Sequence, residues 1–238
     1  MINKNLALWG AGVSATIALL MIIRSKSANA QPKGLLHEAN VQSINIIGDS
    51  QTKRHLGKAY AQVFSDKQVN FFGKEGATHE KYLNDPSLLN AIQSLGCADL
   101  TIIQLGDNGV SNRIDKISEF VAFVANACPN SQIIWGGPMK AVKPTVPSSY
   151  VFTDPKDVGS FKYLPKYNNL RRTWDNRLRN ALLEAGIPYV SNFELQESQP
   201  LSSAFSDSRG GDGIHLTENS AIMLAHLMRE LVFGERLI

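Results

Sequence analysis

Cysteine is scarce in this chain of 238 residues: there are two, Cys97 and Cys128, and they are too far apart to form a Cys-x-x-Cys pair. No His/Cys cluster has the spacing of a metal site, so the sequence implies neither a metal nor another cofactor. Internal repeats and low-complexity tracts are absent, which excludes repeat solenoids and biased, unfolded segments. Charged residues make up only 19% of the chain and hydrophobic ones 43%. That is the composition of an ordinary globular protein, long enough for one α/β domain and a targeting segment. Acidic residues are missing from positions 1–30, where Lys4, Arg24 and Lys26 carry the entire net charge of +3. The remainder holds 21 basic and 21 acidic residues. A neutral domain has no electrostatic footprint for nucleic acid.

Charge is also absent from residues 6–23, LALWGAGVSATIALLMII. Two readings fit this stretch. One is a cleaved secretory signal, with Ala28-Asn29-Ala30 as a small-x-small site before Gln31. The other is a retained anchor that binds the membrane, because eighteen apolar residues just reach the spanning length. A buried soluble helix would need a polar face that this segment lacks. Cations flank both ends, so the positive-inside rule barely discriminates. The expected organisation is a signal peptide or membrane anchor at 1–30, a linker at 31–42 and one domain at 43–238. The domain is expected outside the cytoplasm, and oligomeric state is not readable.

From residue 43 the chain alternates strand and helix. Ser43 to Ile47 is a short apolar run that stops at Gly48, and residues 52–65 follow with helical spacing. Val69 to Phe72 is a second strand, and 79–95 a second helix with Leu88, Leu89, Ile92 and Leu95 on one face. Leu100 to Leu105 is the third strand, 113–127 an amphipathic helix, and Gln132 to Trp135 the fourth strand. Residues 166–185 read as helix ending at Gly186, and Pro188 to Val190 opens a fifth strand. The last helix spans about 217–232, with Thr217 as N-cap. Apolar strands alternating with helices imply a mainly parallel five-stranded sheet covered on both faces, a doubly wound, flavodoxin-like αβα sandwich. Sites in such a sheet gather at the carboxyl ends of strands.

One stretch breaks the rhythm. Residues 137–165 hold several prolines and no clear period; this is either a wall of the cleft or a surface insertion. Cys97 and Cys128 each precede a strand by a few residues. If those strands are neighbours a disulfide is geometrically open, and it would fit an oxidising compartment. Two unrelated buried cysteines are the alternative.

The chemistry-bearing residues follow strand ends. Ser50, in Gly48-Asp49-Ser50, stands at a strand-to-helix turn, where helix N–H groups and positive potential suit a nucleophile that develops an oxyanion. The plainer reading is that Asp49 or Ser50 caps the helix. Gly76 lies four residues after the second strand and reads alone as a turn glycine at positive φ. Asn108, after the third strand, could offer its amide to an oxyanion or simply make a turn. Of eleven aspartates only Asp212 has a histidine three residues on. A carboxylate so placed can accept from Nδ1–H of His215 and leave Nε2 to take a serine proton. The other histidines are less placed for chemistry: His37 in the linker, His55 on an early helix, His226 mid-helix. His79, three residues past Gly76, could line the cleft.

Together, Gly48-Asp49-Ser50, Gly76, Gly106-Asp107-Asn108-Gly109 and Asp212-Gly213-Ile214-His215 form an ordered set of blocks that resembles the SGNH (GDSL) hydrolase family across residues 43–232. Trp135-Gly136-Gly137-Pro138 and the run of Asp212 to Thr217 into a helix are similar to the family too. The resemblance implies a serine esterase with Ser50 as nucleophile, His215 as base and Asp212 orienting it. It puts the Ser50 and Gly76 N–H groups and the Asn108 side chain in the oxyanion hole, and needs no metal. Gly109 stands where the family often has aspartate. Asp107 is acidic where a small or hydroxyl residue is usual, and is therefore expected to point away or to meet a cation. The implied substrate is an ester: an O-acetyl group on a cell-wall or surface polysaccharide, or a lipid ester or thioester. Acyl transfer by the same acyl-enzyme is a further option, and a catalytically silent, membrane-tethered binding module is the reading from another class.

Overall fold

The computed structural model describes residues 35–108, 114–140, 164–198 and 215–234. Five strands form one sheet: β1 (Ser43–Gly48), β2 (Gln68–Gly73), β3 (Leu100–Gln104), β4 (Gln132–Gly136) and β5 (Tyr189–Val190). Their order is β2-β1-β3-β4-β5, and every pair is parallel. Among the described residues seven α-helices accompany them: α1 (Gly57–Val63), α2 (His79–Asn84), α3 (Pro86–Gln93), α4 (Ile117–Ala127), α5 (Leu164–Glu184), α6 (Asn192–Ser198) and α7 (Glu218–Phe233). This is the doubly wound αβα sandwich expected from the alternation of strand and helix.

The two-residue period of the strands builds two cores. Ile44, Ile46, Ile102 and Ile134 face one side and pack with Leu56, Tyr60, Leu224 and Met228, so α1 and α7 cover that face. Ile47, Ile103 and Trp135 face the other and meet Tyr82, Phe120, Val124 and Leu178, from α2, α4 and α5. The chain leaves β1 for β2 on one side and returns to β3 on the other. The reversal falls between β1 and β3, and the carboxyl ends of strands at such a point are where these sheets carry their sites.

Several elements depart from the expected bounds. The helix expected over 79–95 is two helices, because Asp85 caps a new start: its side chain accepts from Ser87 N–H, and Pro86 takes the first helical position. The 52–65 segment begins as a π-helical turn, Thr52–Leu56, before α1. Helix α6 was not expected. Thr217 caps α7 as expected, accepting from Ser220 N–H. The end of the segment expected as a linker is docked: Leu35 and Leu36 donate backbone N–H groups to Leu231 and Val232, and Val41 is buried. No helix among the described residues is long and apolar enough to cross a membrane. The apolar run 6–23 lies outside the described residues, as does most of the 137–165 stretch.

Cys97 and Cys128 form a disulfide, with Cα atoms 5.2 Å apart. They lie beside the amino-terminal ends of β3 and β4, which are neighbours in the sheet. The bridge closes a loop of 31 residues. In the chain-entropy account such a loop stabilises by about 3–4 kcal/mol. Replacing both cysteines by serine should lower the urea-unfolding free energy by about that amount. An unchanged midpoint would show that the bridge contributes nothing.

Candidate active site

The carboxyl ends of β1 and β2 meet a close crossing of chain. A Cβ on Gly48 would sit 1.9 Å from Thr52 Oγ1, and one on Gly73 would sit 2.4 Å from Lys53 N. Glycine at both strand ends lets the following turn press down onto the sheet edge, which fixes where Ser50 projects. Asp49 caps this turn, its Oδ1 accepting from Gln51 N–H at 3.0 Å. Ser50 is largely buried, at 8% exposure. Its hydroxyl lies 2.9 Å from His215 Nε2. Sequence positions 165 residues apart thus meet in a hydrogen bond of the length a serine–base pair requires. Gln51 secures the histidine's side of the contact, its Oε1 accepting from Leu216 N–H at 3.0 Å.

The third block joins from β3. Asn108 Nδ2 donates to Asp49 Oδ2 and to Ala77 O, each at 3.3 Å. Asn108 therefore touches the residue before Ser50 and the residue after Gly76. Gly76 itself is exposed and adopts φ +64°, a left-handed turn that an L side chain resists. Burial, and next the neighbouring Asp107, pushes the Asp49 carboxyl well above the ordinary carboxylate range, against the Gln51 N–H and Arg171. Because this carboxyl's pKa is raised in the folded state, its contribution to stability fades as pH rises.

Asp107 meets a cation, as its position beside the site required. Arg171, 1% exposed, donates from Nη1 to Asp107 Oδ1 at 2.6 Å and from Nη2 to the Asp107 carbonyl at 3.2 Å. Its Nη1 also donates to Met139 O, and Met139 N–H donates to Asp107 Oδ1 at 2.9 Å. One guanidinium thus ties the β3 loop, the β4 loop and α5 together. His79, in contrast, is buried at 3% exposure and stacks on Trp174, with ring centroids 6.4 Å apart. It packs the wall and does not present a free imidazole to an open cleft.

No family model and no curated protein matches the sequence. Solved structures do match in fold. A candidate SGNH hydrolase from Slackia heliotrinireducens superposes with a TM-score of 0.55 at 16% identity, covering 82% of this chain and 100% of that one. An acetyl xylan esterase, AlAXEase, gives 0.56 at 13% identity, covering 80% and 99%. The fold is that of the SGNH hydrolases. A phospholipase A1 from Streptomyces albidoflavus NA297 shares it, with a TM-score of 0.55 at 12% identity and 77% and 97% covered.

Within the SGNH fold, Ser50 and His215 come together, and Asn108 joins them through Asp49. Asp212 and Gly109 lie outside the described residues. Three residues escaped the sequence reading: Gln51, Arg171 and Arg54. Arg54 places Nη1 3.1 Å from His215 Nδ1. Arg171 had a legible signal, because it shares a helical face with Trp174, Asp175, Leu178 and Leu182, all of them buried. Among the described residues no cluster of His, Cys, Asp and Glu could hold a metal ion. Arg171→Ala should cost about 3–5 kcal/mol of stability by leaving Asp107 buried without its cation. Adding Asp107→Asn to that variant should restore a large part, read from chemical denaturation. Equal instability of the single and double variants would contradict the pairing.

Proposed function

We propose that this chain is a serine esterase that cleaves carboxylic esters through an acyl-enzyme on Ser50. The observation that carries this reading is the 2.9 Å contact between Ser50 Oγ and His215 Nε2 at the carboxyl edge of the sheet. In the reacting state His215 Nε2 takes the serine proton as Oγ attacks the ester carbonyl. The tetrahedral oxygen is held by the N–H groups of Ser50 and Gly76 and by the Asn108 amide. Asn108 Nδ2 already points into this corner, and its two bonds at 3.3 Å are long enough to exchange for a charged acceptor. His215 then gives its proton to the leaving alcohol. Water, activated by the same nitrogen, splits the acyl-enzyme to acid and free serine. Asp212 accepts from Nδ1–H and fixes the histidine during this cycle.

The substrate we favour is a short acyl ester, an O-acetyl group on a cell-wall or surface polysaccharide. The disulfide supports an extracytoplasmic site of action, and residues 1–30 would deliver or tether the domain there. Since the fold neighbours include both an acetyl xylan esterase and a phospholipase A1, the fold by itself does not choose the acyl chain.

Ser50→Ala should abolish turnover of 4-nitrophenyl acetate, and Asn108→Ala should lower kcat by about a hundredfold or more. An acyl-length series should then fall from acetate to octanoate. A rise along the series would move the substrate to lipid esters. Full activity in Asn108→Ala would remove that side chain from the oxyanion hole.

A further inference from the structure

One backbone oxygen, the carbonyl of Gly48, joins the Ser50 turn to the Gly76 turn. Gly48 ends β1 and stands two residues before Ser50. Its carbonyl accepts from Lys74 N–H at 3.2 Å and from the Tyr82 hydroxyl at 2.7 Å. A carbonyl oxygen has two lone pairs, and these two bonds use both. Lys74 opens the turn that contains Gly76, and Ala77 N–H closes that turn on the Lys74 carbonyl at 3.1 Å. Tyr82 stands beyond the far end of the turn, on α2. Thr78 ties that helix to the turn: its side chain accepts from Lys81 N–H and its carbonyl from Tyr82 N–H, each at 3.0 Å. The Gly76 turn is thus pinned at entry and at exit to the residue that leads into Ser50.

The two pins differ in kind. The Lys74 bond continues the parallel ladder of β1 and β2, in which Gly48 faces Gly73. The Tyr82 bond is a side-chain bond added to that ladder. Tyr82 is fully buried, and its ring packs against Phe72 and Phe120, with centroids 6.3 and 5.6 Å away. Burial, and next the Asp49 carboxyl, pushes the phenol above its ordinary range, so the hydroxyl keeps its proton and donates. Without the hydroxyl the ring and the ladder would stay in place. Only the exit of the Gly76 turn would lose its tie.

Resting on the esterase reading, we propose that Tyr82 is a positioning residue: its hydroxyl sets the spacing between the Ser50 and Gly76 N–H groups, and so the fit of the oxyanion hole to the tetrahedral oxygen. An error in that spacing is felt in the transition state and not in the bound ester, because the oxygen gains its charge only as Ser50 Oγ attacks. Asn108 belongs to the same frame, since its Nδ2 donates to the carbonyl of Ala77 within the turn.

The test compares the full chain with Tyr82→Phe and Phe120→Leu. It uses 4-nitrophenyl acetate and 1,1,1-trifluoro-2-butanone, a ketone whose adduct with a serine carries a tetrahedral oxyanion. Tyr82→Phe should lower kcat about tenfold, the worth of one buried hydrogen bond, with KM unchanged. The inhibition constant of the ketone should rise by the same factor. Phe120→Leu loosens the packing on the ring but keeps the hydroxyl, so it should lower the urea midpoint and leave kcat and ketone affinity unchanged. Should Tyr82→Phe fail to fold, Thr78→Ala frees the start of the same helix and should show the same parallel loss in smaller measure. A wild-type kcat in the folded variant, or a fall in kcat without the matching loss of ketone affinity, would overturn the proposal and leave the esterase reading intact. So would an equal fall of kcat in Phe120→Leu. Absence of both turnover and ketone inhibition in wild type would overturn the two readings together.

Discussion

Two carboxylates, Asp49 and Asp107, are buried together under the carboxyl edge of the sheet, and the structure depends on how they are neutralised. Arg171 meets Asp107 directly, and its charge also lowers the cost of ionising Asp49. Buried acids without such compensation would unfold the corner or force it open to water. Because the same guanidinium binds the carbonyls of Asp107 and Met139, it fixes the loops after β3 and β4 on α5. Asn108 follows Asp107 and is aimed by it. The geometry around Ser50 is thus set from beneath, by a charge balance that no single loop could provide.

Above this layer the nucleophile is positioned by close backbone approach and by one amide. Gly48 and Gly73 let the turn after β1 sit on the sheet edge, and Gln51 reaches across to the backbone after His215. On the ring side the histidine meets Ser50 Oγ at Nε2 and Arg54 Nη1 at Nδ1. Ser50 Oγ can give or receive at Nε2, whereas Arg54 can only give at Nδ1.

Much of the architecture was legible in the chain, for physical reasons. Strands buried on both faces write themselves as unbroken apolar runs, so β1, β3 and β4 stood out, and Thr217 announced the start of α7. The split of 79–95 was missed because its apolar spacing continues across Asp85-Pro86, although that pair is itself a start signal. Helix α6 lacks a clean apolar period: Asn192 and Gln196 are buried polar groups on its inward side. Ser50 and His215 were legible because each adjoins a strand end or helix start in a spaced block. The cation for Asp107 was demanded by its acidity, but the sequence does not say which of the 24 basic residues supplies it. Arg171 and Arg54 reach their partners across 64 and 161 positions, a relation that only folding creates. The disulfide stood between these cases, open in the sequence and decided by the adjacency of β3 and β4.

If His215 activates Ser50 as a nucleophile, the folded protein reacted with a fluorophosphonate carries one adduct, located by peptide mass spectrometry on the peptide that contains Ser50, and loses it when His215 is replaced by alanine. A well-folded protein that takes up no label, or carries it on another serine, would show that Ser50 is not the nucleophile.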